Sequence, residues 1–486
     1  MRALAILTLT LILAACSRSG DGTVAVAVIG EPSDLVAKGV RLAPPAELVR
    51  AATTQGLVQL DEAGQLVPGL AERWIVTADG MSYIFRIRQF DLPGGKEVTA
   101  RTVQRALAGA IKNLSGTTLG LDLAKVRDVR AMTGRVIEIR LKSPMPGFLQ
   151  VLAQPELGIV IGDTPTGPMS MATGRENSLS LAAMLPEARG LPIQPDWAET
   201  VRGVRLTASD ARSAMRAFSD GEAALVLGGT LATLPLADLG PLSRGTVRLD
   251  SALGLFGLDV LNSEGFLATP TNREALALAL DRADLIKPFN IAGWKPTTRV
   301  VSPGLPDDTG LVGERWEGID LDARRATARQ RVAAWKAEHG GRLDLRLALP
   351  EGPGADTLFA GLASQYATVG ITLVRARNGQ AADLALRDRV ARFGGARWFL
   401  NQFHCGMSAA ICSEDVDFLV QMAVQAQDPQ EQAGYLVNAE NALAAFNAYI
   451  PLGAPIRWSL VRSGVVGFAE NPWAVHPLFP LTRAPM

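Results

Sequence analysis

Histidine and cysteine are scarce in this chain, with three of each among 486 residues. The histidines, His339, His404 and His476, are scattered, and no nucleophile, base and orienting group gather around any of them. Only His404 stands near Cys405 and Cys412, and no second ligand pair at zinc spacing exists, which argues against a metal centre. A GxxxxGK[ST] phosphate loop and an HExxH pair are both missing. No cofactor is implied. An excess of one charge is lacking too: 48 Lys and Arg face 48 Asp and Glu. Nucleic-acid binders normally carry a basic excess or stripe, so this balance argues against that class. No apolar run after the N-terminus reaches the roughly 20 residues that a membrane span needs.

What is present begins with MRALAILTLTLILAAC. A positive start, a short apolar run and a small-residue ending predict a secretory signal over residues 1–15. Leu13-Ala14-Ala15-Cys16 resembles a bacterial lipobox, which implies that Cys16 is acylated and becomes the mature N-terminus. Ordinary cleavage with Cys16 as a bystander is the alternative. Residues 16–22, small and polar after the cysteine, then read as a lipidated tether. The chain is expected to be exported, periplasmic or in the cell envelope, and held to a membrane through lipid. Cys405 and Cys412 remain as a pair. An oxidising compartment and the even count favour a disulfide over two free thiols.

Hydrophobic residues make up 48% of the chain, enough for large cores, and the length suits two to four domains at ~100–200 residues each. Thr23–Ile29 is β-branched and apolar, a first strand. Asp79-Gly80 separates two β-rich runs, a hairpin signal. Val67 to Trp74 reads as a turn and short helix that packs Trp74. Thr99 opens a helix with Val103, Leu107 and Ile111 on one face. Residues 162–195 read as loops and short elements. Thr271 and Glu274 form a capping-box pattern ahead of one helix running to Phe289, with Leu276, Leu280 and Leu285 turned inward. Leu343–Leu349, Asp356–Val369 and Ile371–Val374 form a strand–helix–strand unit, which suggests parallel pairing.

In order along the chain, several segments resemble the extracellular solute-binding protein family 5, the dipeptide and oligopeptide binding components of ABC importers. Gly56 to Arg88, GLVQLDEAGQLVPGLAERWIVTADGMSYIFRIR, is similar to the family's opening signature. GGKEVTARTVQRAL from Gly94 resembles the turn and helix start that follow. From Leu261 the matching residues are Asn262, Arg273, Ala275, Leu276, Ala279, Asp281 and Arg282, and Ser302-Pro303-Gly304 also has its counterpart. LASQYATVGITLV and DPQEQAGYLVNAENALAAFNAYIPL resemble later elements. The coverage runs from about Thr23 to Phe468.

The resemblance implies an α/β, two-lobed periplasmic-binding-protein fold of type II, in the large peptide-binding subclass, with an extra subdomain in the first lobe. Lobe I would span residues 23–257 with the inserted subdomain at about 55–160, lobe II 258–456, and residues 457–486 would return to lobe I. Hinge closure would trap a peptide or related small solute between the lobes. The partners would be that solute and ABC permease subunits, the protein acting as a monomer and not as an enzyme. A lipid-anchored envelope sensor or interaction protein that kept the fold and lost transport is the alternative.

One stretch departs from the family. Its peptide binders carry Gly-Trp and then an acid that pairs with the ligand's α-amino group. On the register set by Asp383–Leu386 and Phe399-Leu400, the Gly-Trp positions here hold Asp388 and Arg389, and the acid's position holds Arg392, followed by Phe393. Arg387, Arg389, Arg392 and Arg397 crowd the run, and no acid occurs between Asp388 and Leu400. Arg387, Arg389, Arg392, Phe393 and Trp398 are the candidate ligand-binding residues. A guanidinium fork suits carboxylate or phosphate, which points to an anionic or N-blocked ligand. The competing reading has the arginines facing solvent or paired internally.

Overall fold

The computed structural model describes residues 22–485 apart from 133, 175–177, 239–244, 306–307, 378 and 408. The predicted leader and Cys16 lie outside the described residues.

Two large sheets organise the chain. The first has seven strands in the order Met169–Thr173, Ser178–Ala183, Val204–Ser209, Val24–Ile29, Leu225–Thr230, Arg457–Val461, Val247–Asp250. Val24–Ile29 lies parallel to both of its neighbours, so its buried residues Val24, Val26 and Val28 sit at the centre of a core. A central parallel strand is covered on both faces, which suits its nearly continuous apolar run. Within the stretch read as loops and short elements, Met169–Thr173 and Ser178–Ala183 pair as antiparallel strands at the edge of this sheet. Met169, Leu179 and Leu181 are the buried anchors there, and three apolar positions among small polar residues left too weak a period to read.

The second sheet has five strands in the order Ile371–Arg375, Leu343–Ala348, Leu384–Val390, Gly254–Val260, Tyr449–Gly453. Leu343–Ala348 is parallel to Ile371–Arg375, with the helix Pro353–Ala367 between them in sequence. Gly254 opens the fourth strand of this order at φ 152°, where a Cβ would lie 2.1 Å from the Arg389 carbonyl oxygen, so only glycine fits beside that backbone.

A four-stranded antiparallel sheet, Ala71–Val76, Ser82–Ile87, Val136–Leu141 and Val126–Ala131 (the last two neighbours in that order), carries the inserted region. Asp79-Gly80 does turn the first hairpin, with the Asp79 carboxylate accepting from Met81 N at 2.9 Å. Trp74 belongs to a strand of this sheet and not to a short helix, because cross-strand pairing with Phe85 outweighs the local turn signal at Pro68-Gly69.

The helix near Thr271 also differs. Its cap is Thr269, whose hydroxyl accepts from Asn272 N at 3.2 Å, and Pro270 takes the first turn, where a missing N–H costs nothing. Glu274 is released from capping and pairs with Arg315 and Arg331. The single helix expected here is two, Pro270–Leu278 and Arg282–Ile286, because Asp281 caps the second through Asp284 N. Leu276, Leu280 and Leu285 are buried all the same.

Candidate functional site at the junction of the lobes

The arginine run leaves the strand Leu384–Val390 and enters the helix Ala396–Asn401, where the second sheet meets both the inserted region and the first sheet. The structure sorts its members by partner. Arg387 Nε donates to Asp259 Oδ1 on the adjacent strand at 2.7 Å, and its guanidinium lies 4.7 Å from the Phe403 ring centroid. Burial raises the Asp259 pKa, and the Arg387 charge opposes that rise. Asp388 accepts from Arg457 Nη1 at 2.6 Å, tying the second sheet to the strand that re-enters the first.

Arg392 crosses between regions. Its Nη1 donates to Glu156 Oε2 at 2.8 Å and to Gln154 Oε1 at 3.0 Å, while its Nη2 reaches Glu47. Gln154 Nε2 returns a bond to the Arg392 carbonyl at 3.0 Å. Glu47 lies on the helix Pro44–Thr53 and Glu156 in the inserted region. Burial raises the Glu47 pKa first, the nearby Glu156 charge adds to it, and Arg392 opposes it. The carboxylates also raise the pKa of Arg392 against its own desolvation.

Arg397 Nη2 donates to the Leu121 carbonyl at 2.8 Å. Beside it, Asp122 is fully buried, and desolvation pushes its pKa up to about 6 against the pull of Arg397 and Asn401. Phe393 and Trp398 are buried rather than presented to solvent. They share one apolar cluster with Phe148, Val151, Leu152 and Leu157 of the inserted region. Arg389 differs from the rest: its residue is exposed, and it donates to a neutral group, Gln402 Oε1 at 3.1 Å. Among the described residues it makes no ion pair.

The carboxylates Glu47, Glu156, Asp259 and Asp122 were not singled out by sequence. A usable signal existed for two of them: Glu156 in LAQPELG and Asp122 in LGLDLAKV are lone acids within apolar stretches, a pattern that calls for a buried partner. Cys405 and Cys412 are joined in a disulfide with Cα atoms 5.2 Å apart. No group of three or more His, Cys, Asp or Glu able to hold a metal occurs among the described residues.

Solved structures share this fold. OppA of Haemophilus influenzae in complex with RPPGFSPFR superposes with a TM-score of 0.77 at 18% identity, covering 94% of this chain and 98% of that one. This chain has the two-lobed fold of OppA. The murein tripeptide binding protein MppA of Escherichia coli gives 0.76 at 18% identity, over 95% and 97% of the two chains. AgaA from A. tumefaciens R10, in complex with agropinic acid, gives 0.69 at 19% identity over 93% and 96%. These neighbours are binding proteins rather than enzymes. No protein-family model matches the sequence. A curated relative, the "Probable deoxycholate-binding periplasmic protein YgiS" of Escherichia coli K12, is 33% identical over 121 residues. That match spans 21% of this chain and 23% of the relative's length.

Proposed function

We infer that this chain is the substrate-binding subunit of an ABC importer, capturing a peptide or related small solute between its lobes by hinge closure. The observation that carries this reading is the length of the likeness: the fold matches OppA over 94% of this chain and 98% of that one. The same whole-length likeness favours capture over the envelope-interaction alternative. The lobes follow the divisions at 23–257, 258–456 and 457–486, with the inserted subdomain near 55–160. This is supported by the membership of the two large sheets, although the strand that opens the second begins slightly earlier, at Gly254. Export to the periplasm, acylation of Cys16, a monomeric state and delivery to permease subunits complete the reading.

The solute's anchor differs from the acid of the family's peptide binders. Arg392 occupies that position and is already matched by two carboxylates. Arg389, exposed and bonded to a neutral amide, offers its remaining donors to an anionic group of the solute. Arg387, Arg392, Phe393 and Trp398 complete that side of the junction. Native mass spectrometry of protein purified from its periplasm, followed by release and identification of the solute, tests the reading. A carboxylate-bearing peptide-like molecule, lost on Arg389→Ala, is expected. Protein that carries no solute, and that does not compact in X-ray scattering on addition of peptide libraries, overturns it.

A further inference from the structure

Beside the partners of Arg392, a groove of about 350 Å³ opens between the helix Pro44–Thr53, the helix Ala100–Asn113 and the segment after Pro155. That volume falls within the ~300–1,000 Å³ usual for small-molecule sites. Each of the two helices contributes one guanidinium. Arg50 Nη2 donates to the Gly39 carbonyl at 3.3 Å, and Arg105 Nε to the Arg101 carbonyl of its own helix at 3.4 Å. Among the described residues neither arginine has a carboxylate partner. The acid in the lining, Glu156, is turned to Arg392 at 2.8 Å, so its charge is compensated from outside the groove. Val40, Ala106 and Ala110 make the surface between the cations apolar. Arg41 ties the loop beside Val40 across to the Gly116 carbonyl at 3.3 Å. At Gly109, which also lines the groove, an added Cβ would meet nothing within 4 Å.

Two uncompensated guanidiniums beside an apolar wall call for an occupant with an anionic head and a short apolar body. A planar fork binds carboxylate in two-point fashion, and the apolar part of the lining gains from covering hydrocarbon. We propose that this groove is a binding site for a small amphiphilic carboxylate, its head held by Arg50 and Arg105 and its body lying along Ala106 and Ala110. Because Glu156 serves both the groove and the contact with Arg392, an occupant would sit one side chain away from the junction of the lobes.

Isothermal titration of the mature chain with decanoate below its micelle concentration tests this, with decanol as the neutral counterpart. Decanoate should bind the wild type, and the Arg50→Ala/Arg105→Ala double variant should bind it at least about tenfold more weakly. Decanol should show no such difference between the two proteins. Gly109→Phe fills the groove from an exposed helix position that has room for the side chain, and it should abolish binding with thermal unfolding unchanged. Gly109→Leu serves the same purpose should the larger ring disturb folding. Absence of decanoate binding to the wild type, or binding that survives the filled groove, overturns the proposal. Equal loss of decanoate and decanol in the double arginine variant does so as well, since it removes the charge-based recognition.

Discussion

Asn401 Nδ2 donates to Asp122 Oδ1 at 2.7 Å, joining the helix Ala396–Asn401 to the inserted region. It is not isolated. Lys125 Nζ donates to Gln432 Oε1 at 2.8 Å, and Ser143 Oγ to the Val424 carbonyl at 2.7 Å. Around these bonds the aromatic residues Phe148, Phe393, Trp398 and Phe399 exclude water. The inserted region and the second sheet's helices are therefore closed on each other, and the polar groups caught between them set the conditions under which they part.

Asp122 makes that closure pH-dependent. Its pKa in the folded chain is raised to about 6 from 3.8 by burial. A raised acid pKa means the folded state holds the proton more readily than the unfolded state. This group's contribution is thus most favourable at low pH and is lost as pH rises through 6. Urea denaturation at pH 5 and pH 7.5 should show Asp122→Asn closing about 1.4 kcal/mol of the gap between the two conditions. A gap unchanged by the substitution would show that Asp122 does not titrate in this range.

Arg392→Ala should destabilise the chain in the absence of any solute. Removing the guanidinium leaves Glu156 buried and Glu47 half-buried without their cation, which costs about 3–5 kcal/mol where a buried pair is broken. Adding Glu156→Gln to that variant should recover part of the loss. A double-mutant cycle in urea measures the coupling, and a value near zero would mean that the pair contributes nothing.

A second ionic knot holds the segment after Thr298. Arg299 pairs with Asp308 and with Glu440, each at 3.0 Å; Arg299 and Glu440 are buried and Asp308 partly so. Desolvation works against the Arg299 charge, and its two carboxylate partners outweigh it, leaving its pKa raised. Glu440 also accepts from Val301 N at 3.2 Å. Glu440→Gln should cost about 3 kcal/mol or more by leaving Arg299 half-compensated. Hydrogen exchange over residues 298–310 should accelerate in the same variant.

The Cys405–Cys412 disulfide closes a short loop. Chain-entropy reasoning gives about 3 kcal/mol for a 15-residue loop and less for a shorter one. Reduction should shift the unfolding midpoint only modestly while loosening the backbone next to it, including the Cys405 N–H bond to Asp417 Oδ2 at 3.0 Å. Thiol labelling of the denatured protein should find both cysteines blocked until a reductant is added.

The sequence by itself carried the element pattern wherever local chemistry and burial agree. Val24–Ile29, the Asp79-Gly80 hairpin, the helix after Thr99 and the parallel pair around Pro353–Ala367 are all legible, because each apolar period coincides with the face the fold buries. It failed where two local signals compete: Thr269 and Thr271 are both acceptable caps, and Pro270 decided between them. The arginine run shows the deeper limit. Residue types and register could place four guanidiniums near one another, but not say which were matched. Asp259, Glu47 and Glu156 reach Arg387 and Arg392 from 128, 345 and 236 positions away. Only chain packing brings charges from such distances into contact. That packing turned Arg392 into a cross-strut to the helix Pro44–Thr53 and the inserted region, and left Arg389 to face solvent.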